Sequence, residues 1–151
     1  MFFFLFIAAI TLLRRTNLGR WCKLAATTRR YLCNAPDDTR VWIDGIAVNQ
    51  HQDTMPDANA ADVASFEATI QQCRGGTIVV VDGKMCNPTT RGWCLYEWDK
   101  TVLYYGLEGL FMTGMSPEDR KLVVQGVDVA NADCFDPKDL AMIHGNIIAS
   151  H

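Results

Sequence analysis

The chain lacks the basic excess of a nucleic-acid-binding protein. Its 14 Lys and Arg residues are outnumbered by 17 Asp and Glu residues, which gives a formal net charge of -3. A general nucleic-acid binder normally carries clustered positive charge to contact phosphates. The basic pairs Arg14-Arg15 and Arg29-Arg30 flank apolar runs, and we interpret them as solvated faces. Nucleic acid is therefore not an expected partner.

Spacings typical of disulfide frameworks and zinc sites are also missing. The six cysteines include no Cys-x-x-Cys pair, and His51, His144 and His151 show no zinc-ligand spacing. A reduced thiol at an apolar position packs as a small hydrophobe. The sequence therefore favours a reduced, cytoplasmic protein over a disulfide-linked secreted one, and it predicts neither a metal site nor a resident cofactor.

No hydrophobic run reaches the length of a membrane span, which takes about 20 residues. The apolar segment Met1–Leu13 is shorter, with no positive charge before it and no small-residue cleavage site after it. Two interpretations remain: a short signal-anchor, or an atypical first strand within residues 1–16, intact or incomplete. We favour the strand, so membrane attachment is not an expected role. Because no repeat or low-complexity tract interrupts residues 1–151, we expect a single domain.

Strand and helix patterns alternate along the chain. Val41–Ile43, the β-branched run Thr77–Val81 and Leu110–Met112 predict buried strands. Apolar residues at helical spacing predict helices over 17–32, 62–73, 91–105 and from Asp136 onwards. Strands that alternate with helices of this length pair in parallel through right-handed crossovers. The expected fold is therefore α/β, a three-layer sandwich with a central, mainly parallel sheet.

Acidic residues follow two of the predicted strands. Asp44 and Asp82 stand at carboxyl ends, where open parallel sheets bind ligands, and Glu97 lies two turns into the next helix. Each also has an ordinary interpretation. Acids at strand ends often bond nearby backbone amides, and a glutamate on a helix often lies on its solvent-exposed side. A Mg²⁺-dependent phosphoryl-transfer site at Asp44 and Asp82 is disfavoured, since the first strand carries no acid.

Three segments in a fixed order carry a family resemblance. They are Val41-Trp42-Ile43-Asp44 through Val48-Asn49-Gln50-His51, then Phe66 to Asp82, then Thr90-Arg91-Gly92-Trp93-Cys94-Leu95-Tyr96-Glu97. Together, over about residues 40–106, they resemble a divergent TIR-type domain of the algal and protist kind. Trp-Ile-Asp followed by Asn-Gln is also similar to the fungal heterokaryon-incompatibility domain. One departure is that Met1–Asn17 offers no Ser- or Ser-His-containing loop, which family members usually carry after the first strand.

The resemblance implies a signalling domain of innate-immunity type that cleaves NAD between nicotinamide and ribose. It implies Glu97, of Trp-Cys-x-x-Glu, as the catalytic residue. The resemblance also implies four residues that contact the substrate: Asp44, Asn49, Gln50 and Trp93. NAD would be a substrate rather than a cofactor. Nicotinamide leaves a cationic pyridinium as a neutral molecule, so one carboxylate that stabilises the oxocarbenium-like charge suffices.

The alternative is a non-enzymatic module that acts by TIR-type self-association or as an adaptor. For the enzyme we expect Glu97→Ala to abolish NAD cleavage and to leave the fold intact, because a partly exposed helical glutamate tolerates truncation.

Overall fold

The computed structural model describes residues 4–8, 18–35, 39–43, 66–73, 76–79, 88–113, 115–134 and 137–150. They form an α/β fold around a four-stranded sheet in the order β2-β1-β3-β4. The strands are β1 Phe4–Ala8, β2 Arg40–Ile43, β3 Thr77–Val79 and β4 Leu110–Met112. All three pairings are parallel, so the apolar N-terminal segment contributes a strand between β2 and β3.

Three helices lie between successive strands: α1 Leu18–Leu32, α2 over residues 66–72 and α3 Gly92–Tyr105. Two more, α4 Pro117–Gln125 and α5 Pro137–Ser150, follow β4. Short 3₁₀ turns cover Pro88–Thr90, Leu107–Gly109 and Val129–Asn131. The helices predicted over 17–32 and 91–105 are present within one residue at each end. The last two residues of the strand predicted over Thr77–Val81 lie outside the described residues.

Helix α4 was not predicted from the sequence, although its start carries a clear signal. Ser116 caps it by accepting a hydrogen bond from the amide of Asp119, and Pro117 opens the first turn. Glu118 and Asp119 complement the positive end of the helix dipole. The apolar residues of this helix are consecutive rather than spaced by three and four, so the periodicity was too weak to reveal it.

The main core lies between α3 and the β3–β4 half of the sheet. Ile78, Val79, Leu110 and Met112 pack with Leu95 and Trp98 of α3 and with Ala132. Gly76 enters β3 with φ +82°, and a Cβ there would collide with the backbone of Gly109, which precedes β4. Glycine is thus required where the two strands converge. Helix α3 is in this way seated on β3 and β4.

A second contact holds α3 from its other side. Ile143 and Ile147 of α5 pack against Tyr96. At the start of α3, Asp133 bonds the backbone on either side of Arg91: its amide donates to the carbonyl of Thr90 at 2.7 Å, and its carbonyl accepts from the amide of Gly92 at 2.9 Å. Helix α3 is therefore fixed at its amino end as well as along its length.

Candidate functional site

Glu97 is buried, with 2% of its surface exposed. The expectation of a partly exposed glutamate is therefore wrong. The reason lies one helical turn further on, at Thr101, which shares the face of α3 that carries Glu97. The Thr101 hydroxyl is 2.6 Å from that of Thr77, the first residue of β3, and both threonines are fully buried. The Glu97 face of α3 is thus turned towards the sheet, not towards solvent.

Glu97 lies near the level of Val79, the last described residue of β3. Helix α3 connects two parallel neighbours, β3 and β4, so it must run antiparallel to them. Glu97 precedes Thr101 by four residues, which moves it about 6 Å along the helix axis towards the carboxyl ends of the strands. From Thr77 to Val79 the strand advances by about 6.6 Å. The backbone of Glu97 is therefore close to the level of Val79, at the edge where parallel sheets bind ligands.

The topology supplies a crevice position at that same edge. From β1 the chain passes first to β2 on one side and then to β3 on the other, so the strand order reverses between β1 and β3. Doubly wound sheets bind ligands at such a reversal. Asp44 follows directly on Ile43, the last residue of β2. Strands β2 and β3 both flank β1, so these two strands lie about 9.6 Å apart.

Most of the predicted substrate contacts lie outside the described residues. This holds for Asp44, Asn49 and Gln50, and also for Asp82. Their assignment stays a prediction that follows from the order of the motifs. The structure therefore describes two of the predicted site residues, Glu97 and Trp93.

Trp93 has structural contacts on both sides. Its indole nitrogen donates to the Asp139 carboxylate of α5 at 3.2 Å. Its ring packs against Phe66 of α2, with centroids 5.7 Å apart, and edge-on against Tyr96 at 5.9 Å. Trp93 thus joins three helices, and its predicted contact with substrate remains a prediction.

A second polar cluster, which the sequence did not reveal, ties α2 to α3. One oxygen of the Glu67 carboxylate accepts the hydroxyl of Tyr96 at 3.2 Å, and the other accepts that of Tyr104 at 2.6 Å. Burial, with the negative charge of Glu67, raises the pKa of Tyr96 well above its usual range. The hydrogen bond to Glu67 raises the pKa of Tyr104 to about 12. Both tyrosines are therefore hydrogen-bond donors at neutral pH rather than acid–base groups.

Lys100 is a buried cation on the same helix, with 3% of its surface exposed. Its ammonium group donates to the hydroxyl of Ser150 at 2.5 Å and lies 3.3 Å from the Asp99 carboxylate. It also lies 5.3 Å from the centre of the Tyr96 ring, within the range of a cation–π contact. Since Ser150 ends α5, Lys100 also faces the negative end of that helix dipole. These contacts fasten the end of α5 to α3.

Within the described part of the chain, no helix combines the length and apolar character that crossing a bilayer requires. The same residues contain no group of three or more His, Cys, Asp or Glu side chains arranged to hold a metal ion. Comparison with protein-family models, with curated proteins and with solved structures finds no match to this chain. The functional conclusion therefore depends on the motifs and on the geometry.

Proposed function

We propose that the chain is a TIR-like signalling domain that hydrolyses NAD at the nicotinamide–ribose bond, with Glu97 as its catalytic residue. The observation that carries the proposal is the position of that residue. Glu97 is buried on the sheet-facing side of α3 and stands near the level of Val79, the last described residue of β3. A carboxylate there faces the edge at which an open parallel sheet binds its ligand.

The topology supports the finer part of the fold proposal, a three-layer sandwich of TIR or flavodoxin-like type. The order β2-β1-β3-β4 corresponds to the first four strands of the doubly wound order 2-1-3-4-5. With right-handed crossovers, α1 covers one face of the sheet, while α2 and α3 cover the other. Direct bonds between Glu67 of α2 and Tyr96 and Tyr104 of α3 agree with two helices on one face.

The proposed chemistry needs little from the protein beyond one placed carboxylate. As the bond to nicotinamide breaks, positive charge develops on the ribose, and a nearby carboxylate stabilises it. The low dielectric around a buried group strengthens that interaction compared with water. Nicotinamide departs as a neutral molecule, water attacks the sugar, and the proton that the water loses passes to solvent. Asp44, Asn49, Gln50 and Trp93 are the proposed contacts to the rest of NAD.

The near-complete burial of Glu97 favours a second candidate, a non-enzymatic module that associates with copies of itself. A substrate must reach the catalytic carboxylate, whereas an assembly module can use a buried glutamate for packing alone. NAD cleavage therefore requires that the crevice open beside Glu97 when substrate binds. The adaptor function requires no such opening.

Nicotinamide release separates the two candidates. We expect the wild-type chain to release nicotinamide from NAD, and Glu97→Gln, which keeps the size of the side chain, to lower kcat on the order of 10²–10³-fold. Glu118→Gln is the matched control, because Glu118 is an exposed residue of α4. Equal rates for wild type and Glu97→Gln would exclude Glu97 as the catalytic residue. Concentration-dependent association in light scattering, without nicotinamide release, would instead establish the adaptor function.

A further inference from the structure

The turn of α3 that carries Glu97 is held by a chain of two hydroxyl groups. The Thr101 hydroxyl donates to the backbone carbonyl of Glu97 at 2.7 Å. In a helix that carbonyl also accepts the amide of residue 101, so it receives two hydrogen bonds from one residue. The same hydroxyl lies 2.6 Å from that of Thr77 on β3.

The direction of this chain follows from counting protons. A threonine hydroxyl has one proton to donate and can accept further bonds. Since Thr101 gives its proton to the Glu97 carbonyl, the bond between the two threonines must be donated by Thr77. The chain therefore runs from the Thr77 hydroxyl to the Thr101 hydroxyl to the Glu97 carbonyl, and Thr101 is the member on which both bonds depend.

The two threonines are consequently not equivalent. Loss of the Thr101 hydroxyl breaks both bonds and leaves the buried Thr77 hydroxyl without that acceptor. Loss of the Thr77 hydroxyl breaks only the outer bond, and Thr101 still binds the Glu97 carbonyl. An ordinary packing contact would show no such asymmetry, because valine has nearly the shape of threonine.

We infer that Thr101 is a positioning residue for Glu97, which locks the helical turn bearing the carboxylate to the first residue of β3. Its effect on catalysis rests on the proposed NAD hydrolysis, whereas its effect on the Glu97 side chain does not. A small displacement of a group that acts on a transition state lowers turnover more than it lowers binding. Thr101 touches neither the substrate nor the reacting atoms and acts through the Glu97 backbone alone.

The test compares Thr101→Val, Thr101→Ser and Thr77→Val in the full chain. We expect Thr101→Val to lower kcat by about ten- to a hundredfold with little change in KM. Thr101→Ser keeps the hydroxyl and should restore kcat, while Thr77→Val should have an intermediate effect. Ile143→Val serves as the control, because it trims the buried contact between α3 and α5 and leaves both threonines in place.

A second readout does not depend on turnover. The ¹³C carboxyl resonance of Glu97, identified by its absence in Glu97→Gln, is titrated by NMR in each variant. We expect its midpoint to move in Thr101→Val and to stay at the wild-type value in Thr101→Ser and Ile143→Val. A merely structural role for Thr101 would change the free energy of unfolding without moving this titration midpoint.

The outcomes for the two proposals are distinguishable. Suppose wild type releases nicotinamide, Glu97→Gln does not, and Thr101→Val matches wild type in both kcat and titration. The positioning role is then overturned, and NAD hydrolysis stands. Suppose instead that no variant releases nicotinamide but the Glu97 midpoint moves only in the variants that lose a threonine hydroxyl. NAD hydrolysis is then overturned, and the positioning role is supported.

Discussion

Glu67 and Glu97 both belong to hydrogen-bonded groups around α3, but the hydroxyls beside them bind different parts of the residue. The tyrosine hydroxyls of α3 donate to the carboxylate of Glu67 itself. The threonine hydroxyl beside Glu97 donates to its backbone carbonyl. One carboxylate thus serves as a bridge between helices, whereas the other group fixes the main chain that carries the side chain. A hydrogen bond to the backbone positions a residue without using its side chain, as a catalytic side chain requires.

The largest expected difference between these two glutamates is in the proposed NAD hydrolysis. Glu97→Gln should lower kcat on the order of 10²–10³-fold, because the neutral amide no longer stabilises positive charge on the ribose. Glu67→Gln removes the same charge from the α2–α3 bridge, and we expect its kcat to stay within about twofold of wild type. Steady-state nicotinamide release measures both. A large loss of kcat in Glu67→Gln at full foldedness would show that the two clusters are not separate in function.

The stability of the fold, by contrast, should depend on the hydrogen bonds to Glu67. Tyr96→Phe and Tyr104→Phe each remove one donor to the Glu67 carboxylate, and each should lower the free energy of unfolding by about 1.5–3 kcal/mol. Urea unfolding followed by far-UV circular dichroism measures this loss. Tyr31→Phe is the control, since Tyr31 is an exposed residue of α1. If all three variants unfolded at the same urea concentration as wild type, the bridge would contribute nothing to the fold.

The helices and strands were more predictable from the sequence than the two polar clusters around Glu67 and Glu97. Strands β2 and β3 were readable because apolar or β-branched residues run without interruption. The shared face of Glu97 and Thr101 was also readable, since both lie on one stripe of the helix. The side of the sheet to which that stripe turns was not readable, because nothing in the spacing links Thr101 to Thr77. The bond that decides it spans 24 residues of chain.

The Glu67 bridge was hidden for the same reason. Its two hydrogen bonds span 29 and 37 residues, and no local pattern marks Glu67 as a partner of tyrosines. Helix α4 was missed differently, since its start signal at Ser116 and Pro117 is local and legible. Sequence patterns thus carry the elements and their caps, while pairings between distant polar groups emerge only once the chain is folded.

The bridge should weaken in alkaline solution. The pKa of Tyr104 is raised from 10.0 to about 12, and that of Tyr96 is also raised. A raised pKa means that the folded state holds the phenol proton more tightly than the unfolded chain does. The stabilisation is therefore complete below pH 10 and is lost as the pH rises towards 12. Unfolding free energies measured between pH 9 and pH 12, about the range set by these pKa values, test this.

The matched variant for this titration is Tyr104→Phe, which has no phenol to ionise at that position. Its unfolding free energy should fall less steeply over the same pH range than that of wild type. Glu97→Gln should follow the wild-type curve, because it leaves Glu67 and both tyrosine hydroxyls that bind it in place. Parallel curves for wild type and Tyr104→Phe would contradict the assignment of the alkaline loss to this bridge.

The smallest expected effect that separates the Glu67 bridge from the Glu97 turn is on thiol labelling. Cys73 follows α2 directly, packs with Phe66 and Ile70, and has a pKa raised to about 12 by burial. Cys33 carries an exposed thiol. At pH 8 we expect iodoacetamide to modify Cys33 well before Cys73, because the thiolate is the reactive form.

Glu67→Gln should speed the labelling of Cys73 by releasing α2 from α3, whereas Glu97→Gln should leave it unchanged. Mass spectrometry of tryptic peptides would follow each site, and equal labelling of Cys73 in both variants would mean that the Glu67 bridge does not hold α2 in place.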